Sequence, residues 1–274
     1  MNGDMKEKDH PVRQGLHVYH LRHDLSVEQV RKILAQPGDI IKRSRKSVVR
    51  RVGPWLIKES RRNLIGLLKH TFQRDRYRQA WAAALHLRHH GIDVPEPVAL
   101  IETRFGGVIL GNTYIARYLE WHRNVEQFLL ALVQRGGGKD TIALFLERLA
   151  DAVNRLRATS AYHADLSGKN IFTRDGIHFY FIDLDSVILN AEYTEERCMK
   201  NMVQLYDSFC DLLNDAMLVP FIGRMLGPEH DLRLWMPRIR KAQQERRLMA
   251  ERRLEKQGKT RRPLWASADD QNHP

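Results

Sequence analysis

The stretch Tyr162–Asp185 reads YHADLSGKNIFTRDGIHFYFIDLD and decides the fold. Its Asp175-Gly176 pair lies between two runs rich in β-branched and aromatic residues, which is typical of a two-residue hairpin turn. With that pair at the centre of the turn, Asn170 and Asp183 lie on one face of the hairpin. The segment therefore predicts a β-hairpin that carries an amide and a carboxylate on the same side.

Three oxygen-bearing side chains converge in this register. Asn170 pairs with Phe181, so that Asn170 and Asp183 are diagonal neighbours about 7–8 Å apart at their backbones. Their oxygens can share a hard cation such as Mg²⁺, which takes oxygen ligands at about 2.0–2.1 Å. Asp165, five residues before Asn170, lies in the loop that leads into the hairpin. The sequence thus predicts two carboxylates and an amide around one spot.

Transfer of a phosphoryl group needs this set of side chains. One carboxylate accepts the proton of the attacking hydroxyl, and an Asn and a second Asp hold the metal. His163-Ala164-Asp165, four further residues and Asn170 match the H-x-D-x₄-N form of the kinase catalytic loop. Asp183 follows Asp165 by 18 residues, where kinases place their metal-binding Asp. Together the motif, the hairpin and the I-D-x-D segment indicate a kinase-type fold.

Candidates for nucleotide binding lie upstream of this motif. Lys58 in WLIKES ends an apolar strand that follows the Gly53-Pro54 turn, as the lysine of V-A-I-K does in kinases. The sequence has no G-x-G-x-x-G segment to cover the phosphates, and SRKSVVRRV stands at that place. We therefore expect Ser44 and Ser47 to cover the nucleotide phosphates and Lys58 to neutralise them.

The chain divides by composition into four segments. Residues 1–39 are expected to form an N-terminal extension, 40–118 a small lobe, 119–237 a larger lobe, and 238–274 a basic C-terminal tail. The order of periodic segments predicts an α+β, protein-kinase-like two-lobe fold, whose small lobe is mainly antiparallel β with one helix and whose larger lobe is mainly helical. Helices are predicted after Ser26, at 72–90, at 124–133, at 141–158 and at 194–214, with a short helical region that ends near Pro237.

The net charge of +12 is unevenly distributed. Ile40–Val52 contains 6 basic residues and no acidic residue, and Arg238–Arg262 contains 11 basic and 3 acidic residues. Such segments favour anionic partners, namely phosphates, nucleic acid or an anionic membrane surface. The basic tail lacks the aromatic residues on which bases stack, which makes nucleic acid the least favoured partner. No apolar run is long enough for a membrane span and no secretory signal is evident, so we expect a cytoplasmic protein.

Several segments resemble the bacterial lipopolysaccharide kinase family, the Kdo and heptose kinases of the inner core. HADLSGKNIF resembles the H-G-D-L-x-x-x-N-I-L of the family, and YFIDLDSVIL resembles its L-I-D-x-D-x-x-x-L. LRHHGIDVPEPVALIE, YIARYLE and KNMVQLYDSF resemble its Gly-Ile-Pro stretch, its hinge and its next helix. The resemblance covers about residues 40 to 226.

The resemblance implies a protein-kinase-like fold and an enzyme that uses ATP and Mg²⁺ to phosphorylate a sugar hydroxyl. It places the enzyme at the cytoplasmic face of the inner membrane, with the lipopolysaccharide core or lipid A precursor as substrate. Carried over by motif position, Asp165 is the base and Lys58 is the lysine that binds the ATP phosphates. Asn170 and Asp183 are the metal ligands.

The sequence departs from the family pattern at two places. Ala80 stands where the family often has a Glu that orients the lysine, and Glu59 or Glu102 is a possible substitute. Lys169 adds a cation four residues after the base. It either offsets charge on the γ-phosphate in the transition state or is a solvent-exposed loop lysine.

Three alternatives follow from these features. A kinase-fold enzyme could act on another small-molecule or protein hydroxyl, and the missing helix Glu fits a nucleotide-binding pseudokinase that acts as a regulator. His163 is expected to support the catalytic loop through hydrogen bonds rather than to act as the base. The stretch 238–262 either attaches to an anionic membrane surface or packs as a final helix anchored by Leu248, Leu254 and Trp265.

Overall fold

The fold is known from a computed structural model, in which the chain forms two compact units. The first unit comprises the described residues up to His86 together with Pro95–Glu120. The second comprises Leu87–Val94 and the described residues from Trp121 onward. The structure describes residues 11–22, 24–44, 47–60, 76–106 and 108–258.

The first unit contains an antiparallel sheet with the order β1-β2-β6-β7-β5-β4-β3. The predicted turn at Gly53-Pro54 joins β4 to β5, where Val52 pairs with Trp55. This order brings β5, which carries Lys58, to the middle of the sheet beside β7. The strands are β1 Val12–Gln14, β2 His17–Leu21, β3 Asp39–Arg43, β4 Ser47–Val52, β5 Trp55–Ser60, β6 Pro97–Phe105 and β7 Val108–Arg117.

Two helices of this unit pack against the sheet. Helix α1, Val27–Ala35, joins the core cluster that contains Ile57 of β5 and Ile115 of β7. The described part of the helix predicted at 72–90 is α2, Arg76–His89. Side chains alternate between the two faces of a strand, so the residue before Ile115, Tyr114, points to the face opposite α1. Helix α2 packs on that face, where Trp81 contacts Tyr114 edge to face with ring centroids 6.4 Å apart.

The segment 1–39, expected to be an extension, contributes elements to the first unit. Strand β2 pairs with β6 and buries Tyr19. The helix predicted after Ser26 is α1, and the Ser26 hydroxyl accepts the backbone N–H of Gln29 in a capping box. The described part of this segment is folded onto the sheet because its alternating and helical apolar positions both find core partners. The small lobe therefore has two helices where the sequence predicted one.

The second unit is mainly helical, and its short strands form two small sheets with the orders β11-β10-β8 and β12-β9. Helix α4 is buried along one face. The three predicted helices at 124–133, 141–158 and 194–214 correspond to α3, α4 and α5. The elements are β8 Arg123–Asn124, α3 Val125–Gln134, α4 Lys139–Ala158, β9 Tyr162–His163, β10 Ile171–Thr173, β11 Tyr180–Phe181, β12 Val187–Ile188, α5 Glu195–Phe209, α6 Asp215–Leu226 and α7 Leu232–Glu255.

The predicted hairpin forms, but its register differs by one residue. Ile171, and not Asn170, pairs with Phe181. The reason is the connection between β10 and β11, which is longer than two residues. Asp175 Oδ1 accepts the backbone N–H groups of Ile177 and His178 at 2.8 and 2.9 Å. This side-chain turn takes the place of the two-residue turn that the Asp-Gly pair suggested.

The C-terminal stretch forms the long helix α7 rather than a separate tail. The helix runs through Pro237, near which the sequence predicted an end, and continues to Glu255. Ile239 and Gln243 are buried, whereas the proposed anchor Leu248 is 53% exposed. Polar contacts to α5 hold the helix where apolar residues are few, which is why the hydrophobic pattern left a packed helix and a membrane-attached stretch as alternatives. Trp265 and residues 259–262 lie outside the described residues.

Within the described ranges, no helix is both long enough and apolar enough to cross a membrane.

Candidate active site

The Asp165 carboxylate is held by two side-chain amides. Asn170 Nδ2 donates to Asp165 Oδ2 at 3.0 Å and to the Asp165 backbone oxygen at 2.8 Å. Gln204 Nε2, from α5, donates to Asp165 Oδ1 at 3.2 Å. Each carboxylate oxygen accepts more than one hydrogen bond, so this clamp fixes the orientation of the carboxylate and leaves it able to accept a further proton donor.

His163 supports the loop from beneath, as its sequence position suggested. Its Nδ1 accepts the Asp165 backbone N–H at 3.2 Å, and its Nε2 donates to the Ile182 carbonyl at 2.9 Å. The side chain is 1% exposed. Burial lowers the pKa of His163, although the nearby carboxylates oppose the change. The neutral imidazole thus joins the loop that carries Asp165 to the segment after β11 that carries Asp183.

Polar residues of α5 hold the rest of the catalytic loop. Gln204 Oε1 accepts the Leu166 N–H at 3.0 Å, and Ser208 Oγ accepts the Gly168 N–H at 2.8 Å. Asn201 Nδ2 donates to the His163 carbonyl at 3.0 Å. All three side chains are buried.

These three residues of α5 were not singled out by sequence reasoning. The sequence does contain a signal for them, which is the spacing of polar residues along the helix. Asn201, Gln204 and Ser208 recur at intervals of three and four residues, on the same face as the apolar residues of the helix. Buried polar groups need hydrogen-bond partners. A polar row on a core-facing helix therefore predicts that irregular backbone packs against it.

Asn170 and Asp183 lie on neighbouring segments. The Ile182 N–H donates to the Asn170 carbonyl at 2.9 Å, which sets Asp183 one residue beyond that contact. Asp183 is exposed and has a left-handed backbone with φ of 58°. That conformation costs a residue with a side chain about 1–2 kcal/mol. The surrounding hydrogen bonds hold Asp183 in a conformation that the chain would otherwise avoid.

The oxygens available here fit a hard cation. The amide nitrogen of Asn170 is directed at Asp165, and its Oδ1 accepts no hydrogen bond from the part of the chain that the structure describes. An amide oxygen and a carboxylate are the ligand types that Mg²⁺ selects, with phosphate oxygens and water completing its shell. The residues present therefore suit a metal that arrives with a phosphate-bearing ligand.

The catalytic loop passes very close to α3 at Gly168. A Cβ at that position would lie 2.6 Å from Cγ of Glu126 and 3.1 Å from Cβ of Ser208, so no side chain fits. Glu126 is 4% exposed. Burial raises the pKa of its carboxyl, and the charge of Lys169 partly offsets the change. Lys169 itself is exposed.

Lys58 lies in β5 of the first unit. It pairs with Val49 on one side and Tyr114 on the other, and its ammonium group lies 5.9 Å from the centre of the Tyr77 ring. This aromatic ring belongs to α2. The sequence predicted Lys58 at the end of its strand, whereas β5 continues to Ser60. The role of Lys58 in nucleotide binding stays a prediction.

Glu102, one of the two proposed substitutes for the helix Glu, is fully buried in a different ionic cluster. Arg78 of α2 donates to its two oxygens at 3.0 and 2.8 Å, and Arg104 and His20 also contact it. Burial alone would raise the pKa of Glu102. The hydrogen bonds from His20 and Arg78 and the charges of both arginines outweigh it and lower the pKa to about 2. The helix is thus tied to the sheet by an arginine on the helix and a glutamate on the strand.

Glu59, the other proposed substitute, lies beside Arg50, with the charged groups 3.6 Å apart. Ser44 and Ser47 close the connection between β3 and β4. The Ser44 N–H donates to the Ser47 carbonyl at 2.8 Å, and the Ser47 N–H donates to Ser44 Oγ at 3.0 Å. Arg45 and Lys46 between them lie outside the described residues, so the covering role of the two serines stays a prediction.

Comparison with known proteins decides the family. The family model described as the lipopolysaccharide kinase (Kdo/WaaP) family matches residues 54–220, well over half of the chain. The chain belongs to this lipopolysaccharide kinase family. The match includes the catalytic loop, the hairpin and α5. Among curated proteins, no sequence matches.

A solved structure shares the fold of this lipopolysaccharide kinase. A structure of WaaP in complex with acyl carrier protein superposes with a TM-score of 0.61 at 16% identity, covering 79% of this chain and 92% of that chain. The bifunctional kinase-methyltransferase WbdD gives a TM-score of 0.43 at 12% identity, covering 73% of this chain and 47% of that chain. The similarity to WaaP confirms the kinase-like α+β fold predicted from the sequence. Family membership makes the chain a kinase and implies ATP as the phosphoryl donor.

Proposed function

We propose that this lipopolysaccharide kinase transfers the γ-phosphate of ATP, with Mg²⁺, to a sugar hydroxyl of the lipopolysaccharide inner core, on Kdo or heptose. The observation that carries the proposal is the clamp at Asp165. Both of its oxygens are fixed by amide donors, which is the preorganisation that a general base requires. Family membership supplies the class of acceptor.

The proposed roles follow from the chemistry of each group. Asp165 accepts the proton of the attacking hydroxyl and positions that hydroxyl towards the phosphate. Asn170 Oδ1 and the Asp183 carboxylate would hold Mg²⁺, whose charge would offset that of the phosphates. Lys58 binds the ATP phosphates, and Lys169 adds positive charge beside the base.

The covering of the nucleotide is assigned to the connection between β3 and β4. Ser44 and Ser47 fix this connection through their mutual hydrogen bonds. The hydroxyl groups of the two serines can donate hydrogen bonds to phosphate oxygens. Their contribution is expected to be smaller than that of Lys58, because neither serine carries a charge.

We also propose that the kinase works at the cytoplasmic face of the inner membrane, as a peripheral protein. Helix α7 exposes Leu234, Leu248 and Met249, at 66%, 53% and 68%. The same exposed face carries Arg238, Lys241 and Arg252. Apolar and basic side chains on one helix face suit an anionic membrane surface, to which each basic residue contributes about 1 kcal/mol. The substrate is a lipid-anchored anionic sugar, which would be presented at such a surface.

The decisive experiment is transfer of labelled phosphate from ATP to lipopolysaccharide core isolated from cells that lack the gene. We expect Mg²⁺-dependent label on a Kdo or heptose residue, located by mass spectrometry, and none with Asp165→Asn. Turnover of ATP with label on some other hydroxyl would show that the enzyme acts on a different acceptor. Binding of Mg-ATP without turnover on any acceptor would make it a pseudokinase.

A further inference from the structure

A groove of about 560 Å³ runs between α5 and α7 in the second unit. Its size lies within the range of small-molecule sites in proteins, about 300–1,000 Å³. Three apolar side chains line part of it, namely Met199, Val203 and Ala242. The polar residues that line it are Glu195, Glu196, Lys200, Gln204, Arg238 and Arg246.

The charged groups of the groove differ in whether they form ion pairs. Arg238 contacts Glu195 at 2.6 Å, and Arg246 contacts Asp207 at 3.3 Å. Lys200 forms no ion pair with any residue in the described ranges, and it is exposed. The groove therefore contains a cation whose charge the neighbouring side chains do not neutralise, together with two arginines that are already paired.

One lining residue connects the groove to the proposed chemistry. Gln204 lines the groove and also donates to Asp165 Oδ1 at 3.2 Å. The same side chain holds the Leu166 N–H at 3.0 Å. A ligand in the groove thus lies one side chain away from the proposed base, on the α5 side of the catalytic loop.

From these observations we infer that the groove between α5 and α7 is an acceptor subsite that binds an anionic sugar, with Lys200 as its specificity-determining residue. Lys200 contacts a carboxylate or phosphate substituent of the sugar. The apolar part, including Met199 and Val203, packs against the C–H face of the ring, and Glu196 accepts hydrogen bonds from sugar hydroxyls. The inference rests on the proposed function, because it assigns the acceptor of that same reaction.

A glutamate in the groove is compatible with an anionic ligand. Glu196 lies one helical turn before Lys200 on α5. Sugar hydroxyls are strong donors to carboxylates, whereas the anionic substituent needs a cation. The combination of a carboxylate, an available ammonium group and an apolar wall discriminates an acidic sugar from a neutral one and from an inorganic anion.

The test uses the full-length enzyme and delipidated core oligosaccharide. We expect Lys200→Gln to raise the KM for the oligosaccharide at least tenfold while the KM for ATP stays within twofold of the wild-type value. Lys139→Gln is the matched control, because Lys139 is exposed on α4 and does not line the groove. It should leave both constants unchanged. Unchanged acceptor KM in Lys200→Gln, or an equal rise in the KM for ATP, would overturn the inference.

Modified oligosaccharides identify the anionic group. Methyl esterification removes the charge of sugar carboxylates, and phosphatase treatment removes phosphate. The modification that removes the Lys200 contact should raise the wild-type KM tenfold and have little further effect on Lys200→Gln. If neither modification discriminates the wild type from the variant, Lys200 does not bind the anion and the inference fails.

Direct binding separates this inference from the proposed function. Should wild-type enzyme transfer no phosphate to core oligosaccharide, the proposed acceptor is wrong. Calorimetry with a carboxylate-bearing oligosaccharide in the absence of nucleotide then measures the binding affinity of the groove, independently of phosphate transfer. Weaker binding to Lys200→Gln than to Lys139→Gln would support the anionic-sugar subsite, and equal binding would overturn it.

Discussion

Gln204 Nε2 lies 3.2 Å from Oδ1 of Asp165, while the amide of Asn170 holds the other oxygen at 3.0 Å. The first contact joins residues that are 39 positions apart. A side chain of the helix α5 therefore sets the direction of a carboxylate in the catalytic loop. With Asp165 as the proposed base, we infer that Gln204 acts as a positioning residue.

We predict that Gln204→Leu lowers kcat by roughly 10²-fold, because the base loses its orientation. It also leaves the Leu166 N–H without an acceptor, at a cost to stability of about 1–3 kcal/mol. Ser208→Ala is the control, because it removes the acceptor of the Gly168 N–H but does not touch Asp165. Steady-state kinetics and thermal unfolding should show similar losses of stability and a much larger loss of kcat for Gln204→Leu. Equal kcat values in the two variants would contradict the role.

We predict that Asp165→Asn keeps the fold and the affinity for ATP but lowers kcat by roughly 10²–10⁴, the usual contribution of a positioned base. The amide oxygen of the variant can still accept one of the two amide donors, so little stability should be lost. The rate of phosphate transfer and the ATP affinity of the same preparation are the measurements. Wild-type turnover would rule out Asp165 as the base.

We predict that Asp183→Ala abolishes the part of nucleotide binding that depends on Mg²⁺. The thermal shift on adding ATP should be the same with and without Mg²⁺ in this variant, whereas Mg²⁺ should enlarge the shift in the wild type. Asp140→Ala is a control at an exposed carboxylate on α4. A full Mg²⁺-dependent shift in Asp183→Ala would remove this residue from the metal site.

We predict that Lys58→Ala raises the KM for ATP and lowers kcat together, because a phosphate contact acts in both the ground and the transition states. Lys42→Ala, on the exposed edge strand β3, should change neither constant. Steady-state kinetics at varied concentrations of ATP and of acceptor show which KM changes. A change confined to the acceptor KM would assign Lys58 to the sugar and leave the phosphates to another basic residue.

We predict an acid-sensitive contribution to stability from Glu102, whose pKa is lowered from 4.5 to about 2 in the folded chain. Stabilisation by the ionised carboxylate is complete above the unfolded pKa and is lost as the pH falls towards 2. Glu102→Gln should therefore be less stable than the wild type at pH 6, and the difference should shrink between pH 4.5 and 2. Denaturant unfolding over this range measures it, and a difference that does not depend on pH would contradict the charge assignment.

Much of the fold was predictable because its signals are local. The H-x-D-x₄-N motif, the Gly53-Pro54 turn and the helix start at Ser26 each depend on residues a few positions apart, and the kinase-like fold, the turn and the helix that they predicted were confirmed. The roles of Lys58, Ser44 and Ser47 stay predictions. They concern contacts to a ligand, which neither spacing nor the fold alone establishes.

Other features depended on interactions that sequence patterns do not reveal. The register of β10 and β11 shifted by one residue because the Asp175 carboxylate captures two backbone N–H groups. For the stretch beyond Pro237, a packed helix was only one of two alternatives, because polar and ionic contacts hold α7, among them those of Gln243 and Arg247 to Asp207. These contacts are formed only after distant segments come together.

The hydrogen bonds from α5 to the catalytic loop also bear on the order in which the molecule assembles. The acceptors for the N–H groups of Leu166 and Gly168 lie 38 and 40 residues later in the chain. During synthesis, the loop therefore leaves the ribosome well before the side chains that order it. A nascent chain that ends before Glu195 contains the complete motif from His163 to Asp183 but none of these partners. Activity should appear only when α5 has been made and docked.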